Sequence, residues 1–502
     1  MPYSSGDRKI QTSDAENNEL AKRIVSATPP PSGRQPAMNL APRQVEGLLT
    51  ELKQYHQLFA DLFQRREQRH WSQKYLEGQM LDLERKAIEP MARALEGGNV
   101  QAMQQFIGVG AWSDPAIIKR HQQEVTHTLG AADGLAILDG CDFPKQGADS
   151  VGVARQYCGA LGKRANCQAS VLLGYASSAG HTLLDRRLYL PDAWFDDAHA
   201  ERRAQCGVPQ TVHFQTKPEL GWAMLQTVFT EKVVPIQWVA MDAAFGRDLT
   251  LLNHIEEYGK FYFAEIDRAT LVWQHWPPVW STRFSAPRGR PPSRERVAPD
   301  APPPRRVDAL GLSRAFDRWQ AVIIHEGSKG PLAVEVTAVR VVFREERLPA
   351  REEWLVIRRA SRQALLKDWQ FFRCNAPAVT TFNTLARLTA WRWPIETTIE
   401  ECKGELGLDH YEVRSWIGWH HHVTLTMLAH HFLVRLRVQL GHAAPALTVA
   451  QTRRLLQVVL PKREFDAQSI LAEIERTQQQ NYAAYRSHRK RRLRDLRDYI
   501  PK

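Results

Sequence analysis

Apolar residues in the early part of the chain recur at three- and four-residue steps. Leu48, Leu52, Tyr55, Phe59 and Phe63 fall on one face at that spacing, which predicts an amphipathic helix. A second helix is expected over 75–95, with Leu76, Met80, Leu83 and Ile88 inward, Pro90 as a kink or break, and Gly97–Gly98 as its stop. Shorter helical patterns follow at 101–106 and 115–128. The period then changes. GLAILD (134–139), QASVLLGY (168–175) and TLLDRRLYL (182–190) read as strands. A helix pattern (218–229), a short strand ending in an acid (QWVAMD, 237–242), a helix (249–258) and a strand (261–266) come next. Strands in succession, then strands alternating with helices, predict an α/β fold with a mixed sheet.

Residues 277–306 break this rhythm. Their prolines and arginines exclude a helix or strand interior and predict a long exposed basic loop, either a solvated linker or a phosphate-contacting arm. WQAVIIHE, AVEVTAVRVVFRE and EWLVIRR, within 319–359, read as antiparallel strands of a β-rich insertion. Helical patterns return at 388–405, where Pro394 marks a kink or a first turn, and at 419–440 and 448–499. The last contains RSHRKRRLRDLR (486–497), a solvated face or a DNA-contacting one.

Length and composition narrow the function classes. At 502 residues the chain has room for roughly three domains. Its 43% hydrophobic and 24% charged content excludes a wholly disordered chain, a collagen or a coiled-coil rod. There is no apolar run of about 18 residues, and the N-terminus is polar, so the expected location is the cytoplasm. Six cysteines without C-x-x-C spacing argue against a zinc ribbon or a disulfide framework. Lys plus Arg at 67 against Asp plus Glu at 55 leaves a net charge of +12, which suits a polyanionic partner such as nucleic acid.

Two acids, Asp139 and Asp242, stand at the ends of short apolar runs. Chemistry in open α/β sheets lies outside the carboxyl ends of strands, so two such acids on adjacent strands can share one site. A third acid, Glu396, lies in a helical pattern with Arg392 four residues before it and Lys403 seven after, all near one face. Carboxylates suit Mg²⁺, which prefers hard oxygen ligands and retains open positions for phosphate. Two such ions about 3.5–4 Å apart can stabilise both the attacking and the leaving oxygen of a displacement at phosphorus. Taken alone, strand-end acids and an i,i+4 ion pair are more commonly explained as caps, salt bridges and surface pairs.

Longer runs carry more. LDGCDFPKQGADSVGVARQYCGALGKRANCQASVLLGYA (138–176), DRRLYLPDAWFDD (185–197), CGVPQTVHFQTKPELG (206–221), WVAMDAAFGRD (238–248) and KGELGLDHYEVRSWIGWHHHVTLTMLAHHFL (403–433) occur in this order. Together they resemble bacterial insertion-sequence DDE transposases of the insertion-sequence seven-hundred-and-one type, related to the insertion-sequence-four superfamily. The resemblance runs from about residue 40 to about 435 and is weakest over 270–375. It implies an RNase H-like mixed-sheet catalytic core interrupted by a β-rich insertion, a helical N-terminal domain and a helical basic C-terminal tail. It implies that Asp139, Asp242 and Glu396 are the catalytic and metal-binding triad for two Mg²⁺ ions, with Mn²⁺ able to substitute. It also implies cleavage at the inverted-repeat ends of an insertion sequence and transfer of the freed 3′-hydroxyl to target DNA, with a homodimer in the synaptic complex. Arg392 and Lys403 match the family's helix pattern, whereas Thr389 stands where that pattern has tyrosine. Asp142, Glu400 and Glu401 are neighbouring acids. Asp139 is preferred because it ends the apolar run, Asp142 reads as a turn residue, and only Glu396 has the family's spacing to both bases.

The chain is thus expected to divide into a flexible tail (1–38), a helical DNA-end-binding or brace domain (39–128), the first part of the core (129–267), the insertion with its Pro/Arg-rich loop (268–375), the second part of the core (376–440) and a basic helical region (441–502). Lys145, Arg155, Lys163 and Arg164 are candidate DNA contacts. Trp273, Trp276 and Trp280 suit core packing or stacking on a flipped base. His420, His421 and His422 are successive helical positions, point in different directions and read as core or surface residues. The competing functions are an RNase H-like nuclease without strand transfer and an inert domesticated DNA-binding protein.

Overall fold

The computed structural model describes residues 38–280, 294–313, 318–327, 330–464 and 466–497. Nearly all of the expected N-terminal tail and residues 281–293 of the Pro/Arg-rich loop lie outside the described residues.

Six helices open the fold: α1 (Pro42–Glu46), α2 (Leu48–Gln57), α3 (Arg66–Met80), α4 (Ile88–Ala94), α5 (Val100–Gly108) and α6 (Asp114–Leu129). The first apolar stripe is buried throughout, but the helix stops at Gln57, and Phe59 and Phe63 enter the core from the turn that follows. The expected helix over 75–95 is two helices. The break lies at 81–87, where the Lys86 ammonium donates to the carbonyls of Gln79, Leu81 and Glu405, two of them at the free end of α3. Pro90 sits within the first turn of α4, where a missing N–H costs nothing.

The central strands are β1 (Leu135–Pro144), β2 (Ala154–Cys158), β3 (Lys163–Ser177) and β4 (Gly180–Tyr189). After α7 (Ala200–Gln205) and α8 (Lys217–Glu231) come β5 (Trp238–Met241), α9 (Ala243–Gly246), α10 (Leu249–Glu257) and β6 (Phe261–Ile266). β4 pairs antiparallel with β3, and β3 antiparallel with β1. β1 is parallel to β5, and β5 to β6. The order β4-β3-β1-β5-β6 is consistent with an RNase H-like core. Leu135–Leu138 are all buried, as a central strand covered on both faces requires.

The later strands are β7 (Leu271–Trp273), β8 (Val279–Trp280), β9 (Arg296–Val297) and β10 (Arg305–Arg306). The short helix α11 (Val307–Gly311) leads to β11 (Gln320–Gly327), β12 (Gly330–Glu345), β13 (Leu348–Arg359) and β14 (Gln370–Cys374). β14 docks antiparallel on β6, and β13, β12 and β7 follow outward. The β-rich segment therefore extends the core sheet, giving twelve strands among the described residues.

Helices close the chain: α12 (Phe382–Leu388), α13 (Trp393–Leu406), α14 (Trp416–Leu440), α15 (Val449–Leu456) and α16 (Ala467–Arg497). The helix expected over 388–405 is two helices, and Pro394 sits in the first turn of the second. α14 is buried along most of its length and packs on β4 as well as on α3, α5 and α6. No helix among the described residues is long and apolar enough to cross a membrane.

Candidate active site

The register of β1 and β5 sets the first two acids side by side. Leu138 pairs with Met241, so Asp139 and Asp242 leave adjacent parallel strands together. β1 does not end at Asp139. It continues to Pro144 against β3, and what stops at Leu138 is its pairing with β5. Asp142 is therefore a strand residue and not a turn. Its odd spacing from Asp139 puts it on the opposite face, where Oδ2 accepts the Gly159 N–H at 2.6 Å. Asp242 caps α9, its Oδ1 accepting from the N–H groups of Ala244 (2.8 Å) and Phe245 (3.3 Å).

The third acid comes from α13. Arg392 is the residue before the helix, Glu396 lies in its first turn and Lys403 in its last. Glu396 is half exposed, whereas Glu401 turns to His430 at 2.9 Å and Glu400 faces solvent. Arg392 gathers the site: Nη1 donates to Glu265 Oε2 at 2.6 Å, and Nη2 pairs with Glu396 Oε1 at 3.1 Å. Burial lowers the Arg392 pKa, but the carboxylates of Asp139, Glu265, Glu396 and Asp242 hold it above its ordinary value. Burial pushes Asp139 up to about 7, with Asp242 and Glu396 adding to the rise against the opposing pull of Arg392 and the Gly140 N–H. Asp242 and Glu396 thus act on Asp139, and all three on Arg392, as one electrostatic cluster. Among the described residues no three His, Cys, Asp or Glu side chains are close enough to form a ready metal-ligand group.

Two members of the cluster escaped sequence reasoning. Glu265 lies inside β6, and Arg358 on β13 donates to the Thr389 carbonyl at 2.5 Å. Burial lowers the Arg358 pKa, Glu265 raises it and Arg392 lowers it further. Strand pairing across more than a hundred residues creates this neighbourhood, and no local spacing signals it.

The remaining candidate contacts separate into two groups. The Lys403 ammonium reaches the Asp142 carbonyl at 3.4 Å and lies 5.7 Å from the Phe143 ring centre. Lys145 lies 3.5 Å from the Tyr411 ring centre, and burial lowers its pKa to about 8. Arg155, Lys163 and Arg164 are exposed on the β2–β3 hairpin. Tyr157, 64% exposed, stands opposite Arg164 in register on the same hairpin. Trp273 is buried and donates to the Pro302 carbonyl, whereas Trp276 is exposed. His420, His421 and His422 are core residues bonded to three different partners: the Trp416 carbonyl, the Ile107 carbonyl and the Tyr75 hydroxyl.

Residues 58–331, just over half the chain, match the family described as DDE superfamily endonuclease. The chain belongs to the DDE superfamily endonucleases. No curated protein matches it. The matched span of this DDE endonuclease includes β1 and β5 with Asp139 and Asp242, and ends before Glu396. Family membership supports a phosphoryl-transfer nuclease chemistry, and members of the superfamily generally use divalent metal ions.

Proposed function

We propose that the protein is an insertion-sequence transposase. It binds the inverted-repeat ends of its element as double-stranded DNA, cuts them and joins them to target DNA, acting as a homodimer in the synaptic complex. The observation that carries this reading is that Asp139 and Asp242 leave the paired segments of β1 and β5 side by side, with Arg392 linking Glu396 to them. The donor set suits a hard divalent cation, because it is all carboxylate and burial, with two further acids nearby, disfavours the bare charge on Asp139. Asp139, Asp242 and Glu396 would hold Mg²⁺ or Mn²⁺. When bound, a pair of such cations supplies an activated hydroxyl nucleophile and charge stabilisation at the leaving oxygen.

The chain's own residues do the rest. Asp139 is fixed by β1 and by the Gly140 N–H, and Asp242 by the cap of α9, so neither has to be ordered when substrate arrives. Arg392 beside Glu396, and Lys403 in the last turn of the same helix, bring positive charge suited to substrate phosphates. The exposed bases Arg155, Lys163 and Arg164 supply sequence-independent contacts to the flanking backbone, and Lys145 adds one nearer the core.

The test is divalent-metal-dependent cleavage and joining of a labelled inverted-repeat DNA, with Glu396→Gln in parallel. Both steps should occur in the wild type and fall by about 10³-fold or more in the variant, the size expected when a transition-state charge stabiliser is lost. Cleavage without joining would identify a nuclease, and binding without cleavage an inert DNA-binding protein. Activity that survives Glu396→Gln would remove Glu396 from the site.

A further inference from the structure

The guanidinium of Arg392 stands among the acids proposed to share a cation. Its two terminal nitrogens are held at once by two carboxylates. Glu265 holds Nη1 at 2.6 Å, and Glu396 meets Nη2 at 3.1 Å. A planar, permanently charged fork paired with Glu396 occupies an oxygen that a cation needs, and it repels the cation as well. A second carboxylate that shares the fork limits its hold on Glu396.

We propose that Glu265 is a positioning residue that shares the Arg392 guanidinium and so weakens its hold on Glu396, letting Asp139, Asp242 and Glu396 share a divalent cation. This rests on the reading of those three acids as the metal site. Glu265 is well placed for the task. Its backbone pairs with Phe372 of β14 on one side. On another it is packed so closely against α9 that a Cβ built on Gly246 would lie 2.2 Å from the Glu265 carbonyl oxygen. α9 is the helix that Asp242 caps, so the anchor of Arg392 and the second acid are held by one rigid contact. Glu265 and Arg392 act in opposite directions on Arg358, so the Glu265 carboxylate has a second positive charge in its field.

A double-mutant cycle on the full-length chain tests this. Mn²⁺ binding is measured by the electron paramagnetic resonance of the free ion, without DNA, in the wild type, Glu265→Gln, Arg392→Gln and the double variant. Glu265→Gln should weaken Mn²⁺ binding about tenfold while Arg392 is present and have little effect once Arg392 is Gln, since coupled neighbours are non-additive. If Glu265 merely adds negative charge to the site, it weakens binding equally in both backgrounds, and that additive result overturns the proposal. So does an unchanged affinity in Glu265→Gln. Circular dichroism and thermal melting confirm that each variant is folded, and Glu265→Asp, which keeps the charge but shortens its reach, replaces Glu265→Gln if the latter is not. A wild type whose Mn²⁺ binding is indifferent to Glu396→Gln would overturn the metal site itself and this proposal with it. A wild type that depends on Glu396 but gives an additive cycle would remove only the role of Glu265.

Discussion

At the scale of single residues, Asp242 is a helix cap and a proposed cation ligand, and substitution can separate the two. One oxygen caps α9, and no protein hydrogen bond reaches the other among the described residues. Asparagine caps a helix about as well as aspartate but brings no charge. Asp242→Asn should therefore leave the melting temperature nearly unchanged and abolish metal-dependent cleavage. Asp242→Ala should lose cleavage as well and cost about 1 kcal/mol of stability. A loss of stability in Asp242→Asn equal to that in Asp242→Ala would show that the cap needs the carboxylate charge, and Asp242→Asn that keeps cleaving would remove Asp242 from the chemistry. The contrast with Asp142 is instructive. Three residues separate it from Asp139, yet the pleat turns it to the opposite face, where it ties down the β2–β3 hairpin at Gly159.

At the scale of elements, the position of α9 depends on the absence of a side chain at Gly246. A Cβ there would meet backbone, which cannot rotate away as a side-chain tip can. Gly246→Ala should push α9 from β6, cost about 1–3 kcal/mol as overpacking does, and reduce cleavage further by displacing Asp242. Chemical denaturation and cleavage assays on the same preparation check both, and a variant as stable and active as the wild type would mean that the contact relaxes freely. Which elements could be read from sequence follows from how local their causes are. The strands of β1, β3 and β4 and the stripe of α2 announce themselves by period. The split of α3 from α4 does not, because Lys86 satisfies carbonyls from two distant segments. β2 went unread: its alternation covers only five residues, with Arg155 and Tyr157 exposed. Arg392, Glu396 and Lys403 were legible because their spacing is local: one helix carries Glu396 and Lys403, and Arg392 stands at its N-cap. Glu265 and Arg358 were not, since only the docking of β14 on β6, and of β13 on β14, brings them to the same place.

At the scale of the whole molecule, α14 is the rod on which the N-terminal helices and the sheet are assembled, and its histidines make the joints. Tyr75 bonds His422 at 2.8 Å, Tyr55 bonds His431 at 2.9 Å and the Ile107 carbonyl meets His421 at 3.0 Å, while Thr182 of β4 reaches His430 at 3.0 Å. Burial lowers the pKa of His421 and His422 to about 4 and that of His420 to about 3, and takes His431 well below its ordinary value. Beyond α14, His56 and His121 fall to about 4 and His181 to about 3 for the same reason. Each of these rings is neutral in the folded chain at pH values where the unfolded chain, titrating near 6.5, already binds a proton. Stability is thus fully present above about pH 6.5 and is lost as the pH falls from there toward about 4, because the unfolded state takes up protons that the fold excludes. Several such groups acting together predict a steep fall of the urea midpoint across that window, with the N-terminal helices leaving the sheet as α14 is disrupted. A midpoint that stays constant from pH 7 down to pH 4.5 would mean that these rings are solvated in the folded protein, and α14 would then not be the sealed centre of the molecule.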